Sequence, residues 1–70
     1  MGDADLAALL TIKLNDPSEN RRKAAQALVQ GERSGKSPAD IAERMQKRGD
    51  TGALGALNEI LKELGIAISR

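Results

Sequence analysis

The sequence contains no cysteine, histidine, phenylalanine, tyrosine or tryptophan among its 70 residues. Without cysteine there is no disulfide, no thiolate metal site and no cysteine nucleophile. Without histidine the chain lacks the commonest general base and the commonest metal ligand. The carboxylate pairs Asp3/Asp5 and Asp40/Glu43 have no partner base, so we interpret them as helix caps and solvated faces. We therefore predict a protein that is not an enzyme, with no cofactor and no metal site.

The missing aromatic residues also limit the core, because Leu and Ile must supply its bulk. A core of about this size yields roughly a few kcal/mol of net stability, so self-association or a partner would help. The apolar runs are too short for a membrane span, and there is no signal-peptide pattern. We expect one small soluble domain over residues 1–70, in the cytoplasm, with no membrane and no small-molecule substrate.

Charge is unevenly placed along the chain, although the net charge is only +1. Residues 21–48 hold eight Lys and Arg against three Asp and Glu, a balance of +5. Residues 1–20 carry −3 and residues 49–70 carry −1. A basic middle between acidic ends indicates either charged helix faces that pair within the fold or a surface for an anionic partner.

Start and stop signals divide the chain into helices. A proline follows Asp16 and Ser37 directly, which is typical of a cap and a first helical position. Gly31, Gly49 and Gly65 are expected to end helices in the left-handed conformation. The sequence thus predicts an all-α bundle of four short helices, at about residues 4–14, 17–30, 38–48 and 52–64.

The last predicted helix carries an apolar stripe. Its leucines recur at spacings of three and four, which places them on one side of a helix. These residues are Leu54, Leu57, Leu61 and Leu64. Beyond the Gly65 cap, Ile66 is expected to fold back onto Leu61, and a short extended tail then runs to residue 70. The stripe is a predicted interface for a protein partner or for a second copy of the chain.

Residues 10–15 also fit a strand, because apolar and polar residues alternate there. With such a strand, the stretch TIKLNDP, a helix and QGERSGKSPADIAERM together resemble ribbon-helix-helix DNA-binding proteins over about half of the chain. The resemblance implies a dimer in which Thr11, Lys13 and Asn15 read bases. It also implies that the helix start at Ser37 grips a phosphate. We keep this fold as the alternative, since the alanine-rich start favours a helix.

Two functions fit these observations. The first is a small non-catalytic binding module, a DNA-binding regulator whose basic segment 21–48 contacts nucleic-acid phosphates. Its candidate residues are Arg21, Arg22, Lys23, Arg33, Lys36, Lys47 and Arg48. The second is a protein-interaction module or a purely structural helical bundle, natural or engineered, which uses the Leu54 to Leu64 stripe. Salt-dependent binding distinguishes the first function, because contacts to phosphates release counterions.

Overall fold

The helical patterns of the sequence fold as four α-helices in the computed structural model, which describes residues 2–66. The helices are α1 (Asp3–Asn15), α2 (Glu19–Arg33), α3 (Pro38–Arg48) and α4 (Thr51–Leu64). The predicted all-α architecture of four short helices is confirmed. The extended tail that we predict at the C-terminus lies, beyond Ile66, outside the described residues.

Residues 10–15 belong to α1, and the described part of the chain contains no strand. The ribbon-helix-helix alternative is therefore not supported. In this helix Leu9, directly before the segment, is fully buried, while Thr11 and Asn15 are exposed. Thr11, Lys13 and Asn15 accordingly lie on a helix. The resemblance requires these residues to lie on a strand in order to read bases, and that strand is not formed there.

The centre of the fold is α2, because it contacts each of the other three helices. Two consecutive alanines, Ala24 and Ala25, are fully buried on it. Their small side chains let neighbouring helices approach closely. The buried core is apolar throughout, and its members are Leu9, Ala24, Ala25, Leu28, Val29, Ile41, Met45, Ala53, Ala56, Leu57, Ile60 and Leu61.

Serine residues cap α2 and α3, and one of these caps departs from the prediction. Ser37 and Asp40 form a reciprocal capping box at the start of α3, as the sequence predicts. At α2 the cap is Ser18, whose hydroxyl accepts the N–H of Arg21 at 3.4 Å. Asp16, the predicted cap, instead accepts the N–H of Ser18 at 2.8 Å, so the helix begins two residues later than expected.

The ends of α3 and α4 follow the predicted signals. Gly49 ends α3 in the left-handed conformation, with φ at 73°. The Asp50 side chain then accepts the N–H of Ala53 at 3.3 Å and so caps α4. At the far end of α4, the N–H of Ile66 donates to the carbonyl of Leu61 at 2.9 Å. The predicted fold-back of this residue is therefore confirmed.

Gly31 does not end α2, contrary to the prediction. The helix continues through it to Arg33, and Gly35 takes the left-handed conformation with φ at 73°. Gly31 instead serves the packing of α2 against α3, because a Cβ atom at position 31 would overlap the Cδ1 atom of Ile41. Glycine thus lets α2 and α3 cross closely without displacing the end of the Ile41 side chain.

Candidate functional site

A basic groove of about 440 Å³ lies between α2 and α3, where Gly31 brings these helices together. We call it the α2–α3 groove. Every residue that lines it falls between positions 23 and 48, within the basic segment of the sequence. Its four cations are Lys23, Lys36, Arg44 and Arg48, and none of the described residues that line it is acidic.

Helical periodicity explains why these residues meet. On α2, the lining residues Lys23, Gln26 and Gln30 recur at spacings of three and four. On α3, Arg44 and Arg48 are one turn apart. Residues at these spacings share one face of a helix. The groove therefore forms where one polar and basic face of α2 adjoins a similar face of α3.

The groove has an apolar floor and a basic rim. Ile41 and Met45 are buried at the floor. Lys23, Arg44 and Arg48 are exposed at the rim. Long basic side chains commonly lay their carbon stems on apolar surface and keep the charged group in water. This arrangement presents N–H donors and positive charge to an anion that approaches from solvent.

One rim cation is already partly neutralised within the protein. The Nζ atom of Lys23 lies 3.4 Å from Oδ2 of Asp50, and the two side chains are 55% and 34% exposed. For Arg44 and Arg48 the described residues contain no carboxylate within ion-pair distance. The charge of the α3 side of the groove is thus more fully available than that of the α2 side.

The structure brings together three of the seven cations that the sequence nominates, namely Lys23, Lys36 and Arg48. It adds Arg44, which the sequence reasoning missed. The signal for Arg44 is its spacing of four from Arg48, since both lie on the same face of α3. A search for paired cations at helical spacing, beside the search for consecutive cations, would have found it.

Arg21 lies on a different side of α2, rotated about 200° from Lys23 around the helix axis. Its guanidinium contacts three carboxylates: Nε is 2.8 Å from Asp16, and Nη1 is 2.7 Å from Glu63 and 3.2 Å from Glu59. We call these four residues the Arg21 cluster. It ties the start of α2 to α4, and its three carboxylates outnumber its one cation.

Hydrogen bonds favour the charged forms of Asp16, Arg21 and Glu63 within the Arg21 cluster. The Ser18 N–H, followed by the Arg21 side chain, lowers the pKa of Asp16. The hydrogen bond from Arg21 lowers the pKa of Glu63, and the bonds from Glu63 and Asp16 raise the pKa of Arg21. Arg22 is also engaged, because its Nη1 donates to the Asp16 carbonyl at 2.6 Å. These two arginines stabilise the fold rather than extend the groove.

The last two nominated cations lie outside the groove. Lys47 pairs with Glu43, one turn earlier on α3, through a contact of 3.2 Å between Nζ and Oε1. Arg33 is exposed in the last turn of α2. Because the side chains of Lys47 and Glu43 remain largely in solvent, their pairing contributes little stability.

The Leu54 to Leu64 stripe is mostly part of the protein's own core. Leu57 is 0% exposed and Leu61 is 2% exposed, so neither is free to contact another molecule. Leu54 and Leu64 are partly buried and pack against the edge of this core. A large exposed apolar side chain is found elsewhere, at Leu14 near the end of α1, which is 73% exposed.

Residues 2–66 contain neither a cluster that could hold a metal ion nor a membrane-spanning helix. No group of three or more acidic side chains there is placed to hold a metal ion. None of the four helices combines the length and the apolar character needed to cross a membrane. The α2–α3 groove is therefore the feature on which a function is best argued.

Comparison with known proteins adds no relative. No protein family matches the sequence, and neither a similar curated protein nor a similar solved structure was found.

Proposed function

We propose that this protein is a small non-catalytic nucleic-acid-binding module, of the kind that serves as a DNA-binding regulator. The α2–α3 groove is its proposed contact surface for phosphates. One observation carries the proposal: four cations line one groove, and none of the described lining residues is acidic. Such a role agrees with the cytoplasmic location that the sequence leads us to expect.

The proposed mechanism is electrostatic. Each phosphate neutralised by a Lys or Arg releases bound counterions, and log K falls with log salt at about 0.9 per contact on duplex DNA. Four groove cations therefore give an expected slope of roughly −3 to −4. Gln26 and Gln30, which also line the groove, add side-chain amide donors for phosphate or sugar oxygens.

The rest of the surface supports this choice of site. The Arg21 cluster carries more negative than positive charge, so it repels a phosphate chain instead of extending the groove. Acidic groups there also favour one orientation of the protein, with α2 and α3 toward the nucleic acid and the Arg21 cluster away from it. Charge separation of this kind guides the encounter of two charged partners.

The test is a titration of a labelled DNA duplex, followed by fluorescence anisotropy between about 50 and 200 mM salt. The variant Lys23→Ala/Arg44→Ala/Arg48→Ala removes three groove cations, and we expect its salt slope to fall by about 3. The matched control Arg33→Ala/Lys47→Ala/Lys62→Ala removes the same charge outside the groove and should keep most of the slope. Far-ultraviolet circular dichroism confirms that both variants fold.

Three results would overturn the proposal. One is the absence of duplex binding by the unaltered protein at about 50 mM salt. Another is an equal loss of slope in the groove variant and in its control, which would leave no role for the groove itself. The third is a labelled acidic peptide that binds more tightly than the duplex, because that result would assign the groove to a protein partner.

A protein-interaction module is the second candidate, favoured by the partial exposure of Leu54 and Leu64 at the edge of the core. Its simplest form is a homodimer through these two side chains. Sedimentation equilibrium would then give twice the chain mass, and Leu54→Ser/Leu64→Ser would return the mass to that of one chain. A monomer mass for the unaltered protein at high concentration would remove the homodimer.

A further inference from the structure

Among the described ion pairs, the pair between Lys23 and Asp50 is the one that joins a residue lining the groove to a carboxylate. We infer that Asp50 is a built-in competitor that occupies Lys23 until a nucleic-acid phosphate displaces it, and so lowers the affinity of the groove. This inference rests on the proposed function, because it concerns regulation of the same site.

The geometry gives the two partners different freedom. Asp50 is fixed because its Oδ1 accepts the N–H of Ala53 at 3.3 Å and caps α4, while Oδ2 faces Lys23 at 3.4 Å. Its backbone N–H also donates to the carbonyl of Met45 at 3.0 Å. Lys23 is more than half exposed and sits on a flexible four-carbon stem. The carboxylate therefore stays in place, and the ammonium group is the part that moves.

The pair is weak enough to be displaced and close enough to matter. Ion pairs between exposed side chains are modest, because water and salt screen them. A phosphate chain that engages Arg44 and Arg48, which line the same groove, can take Lys23 from Asp50 at small cost. Breaking the pair subtracts its small energy from the binding free energy, so the groove binds less tightly than it would without Asp50.

The test uses Asp50→Asn, because asparagine is also a good helix cap and keeps the oxygen that accepts the Ala53 N–H. The measurement is duplex affinity by fluorescence anisotropy at low salt. We expect Asp50→Asn to bind about two- to fivefold more tightly than the unaltered protein, as the loss of one exposed ion pair allows. Asp50→Ser supplies a second capping variant in case asparagine weakens the fold.

The matched control is Glu43→Gln. It removes the same charge and frees Lys47 from a shorter pair at 3.2 Å, but it does so outside the groove. We expect it to change the affinity by less than half as much. The variant Lys23→Gln should abolish the gain from Asp50→Asn when the two are combined, because the competitor then has nothing to occupy.

The outcomes separate this inference from the proposed function. No duplex binding by the unaltered protein overturns both. Binding that depends on Lys23, Arg44 and Arg48 but is unchanged in Asp50→Asn and Asp50→Ser overturns the inference alone. An equal gain in Glu43→Gln, or a gain that persists in the combined variant, also overturns it, since either result reflects net charge and not competition at Lys23.

Discussion

Two sides of α2 each carry a cation, Lys23 on one side and Arg21 on the other, but the surroundings of these cations differ. On one side, Lys23 lines a groove with three other cations, and it has a single carboxylate partner, the partly buried Asp50. On the other side, Arg21 is held by three carboxylates and is only 20% exposed. The two residues are separated by one position in the sequence. What distinguishes a cation of the groove from one that is held within the fold is the surface that each helix face meets, not local composition.

The largest expected effect on stability comes from removing Arg21, the cation that ties α2 to α4. Arg21→Ala leaves Asp16 and Glu63 without their shared partner. Several charge-assisted hydrogen bonds to one partly exposed guanidinium exceed an ordinary single surface pair. We therefore expect a loss of about 1–2 kcal/mol in the free energy of unfolding. For a chain of this size that lowers Tm by roughly 5–15 °C. Thermal unfolding followed by circular dichroism measures it.

Duplex binding by Arg21→Ala tests whether the two sides of α2 have separate roles. At a temperature where the variant is folded, we expect its affinity to equal or slightly exceed that of the unaltered protein. A large loss of affinity with the fold intact would place Arg21 in the binding surface and contradict the division between the two sides. Lys62→Ala, which removes an exposed charge on α4, is the control for the change in net charge.

The next largest effect on stability concerns the packing of α2 against α3 beside the groove. Gly31→Ala gains helix propensity of about 1 kcal/mol but forces a Cβ atom against Cδ1 of Ile41. Overpacking of this kind costs about 1–3 kcal/mol, so we expect a net loss near 1 kcal/mol. Ile41→Val removes the clashing Cδ1 atom, and Gly31→Ala/Ile41→Val should therefore be more stable than Gly31→Ala. Chemical denaturation of the three variants checks this, and a double variant less stable than Gly31→Ala would contradict it.

The smallest effect is the pH dependence of the Arg21 cluster. The pKa values of Asp16 and Glu63 are lowered in the folded state, from ordinary values of 3.8 and 4.5. Their contribution to stability is thus complete above those ordinary values and is lost as the pH falls through the lower folded values. We expect the stability gap between the unaltered protein and Arg21→Ala to narrow in acid. A gap that stays constant from neutral pH to pH 2 would contradict the assignment.

Most of the fold can be predicted because its helix boundaries are local chemistry. The capping box of Ser37 and Asp40, the Asp50 cap and the Gly49 and Gly65 stops each depend on residues within about four positions. The strand alternative for residues 10–15 arises because alternation over so short a stretch fits both periods. The alanine-rich start and the packing of α1 against α2 both favour the helix.

The site is harder to predict because its geometry is tertiary. Arg21 and Lys23 look alike in the sequence, yet the partner of Arg21 at Glu63 lies 42 residues away. Gly31 looks like a helix stop until Ile41 is known to pack against it. An apolar stripe such as the one containing Leu57 shows that a face is buried, but not whether the chain itself or another molecule covers it.

A single fully buried side chain, Leu9, anchors α1 to the core. Leu6, Leu10 and Ile12 of the same helix also pack against the core but are only partly buried, whereas α2 and α4 bury five residues each. Local opening of α1 therefore removes fewer fully buried residues from the core than local opening of α2 or α4. In native-state hydrogen exchange its amides should lose protection before those of α2 and α4. The α2–α3 groove takes none of its described lining residues from α1, so brief detachment of this helix leaves the proposed phosphate contacts assembled.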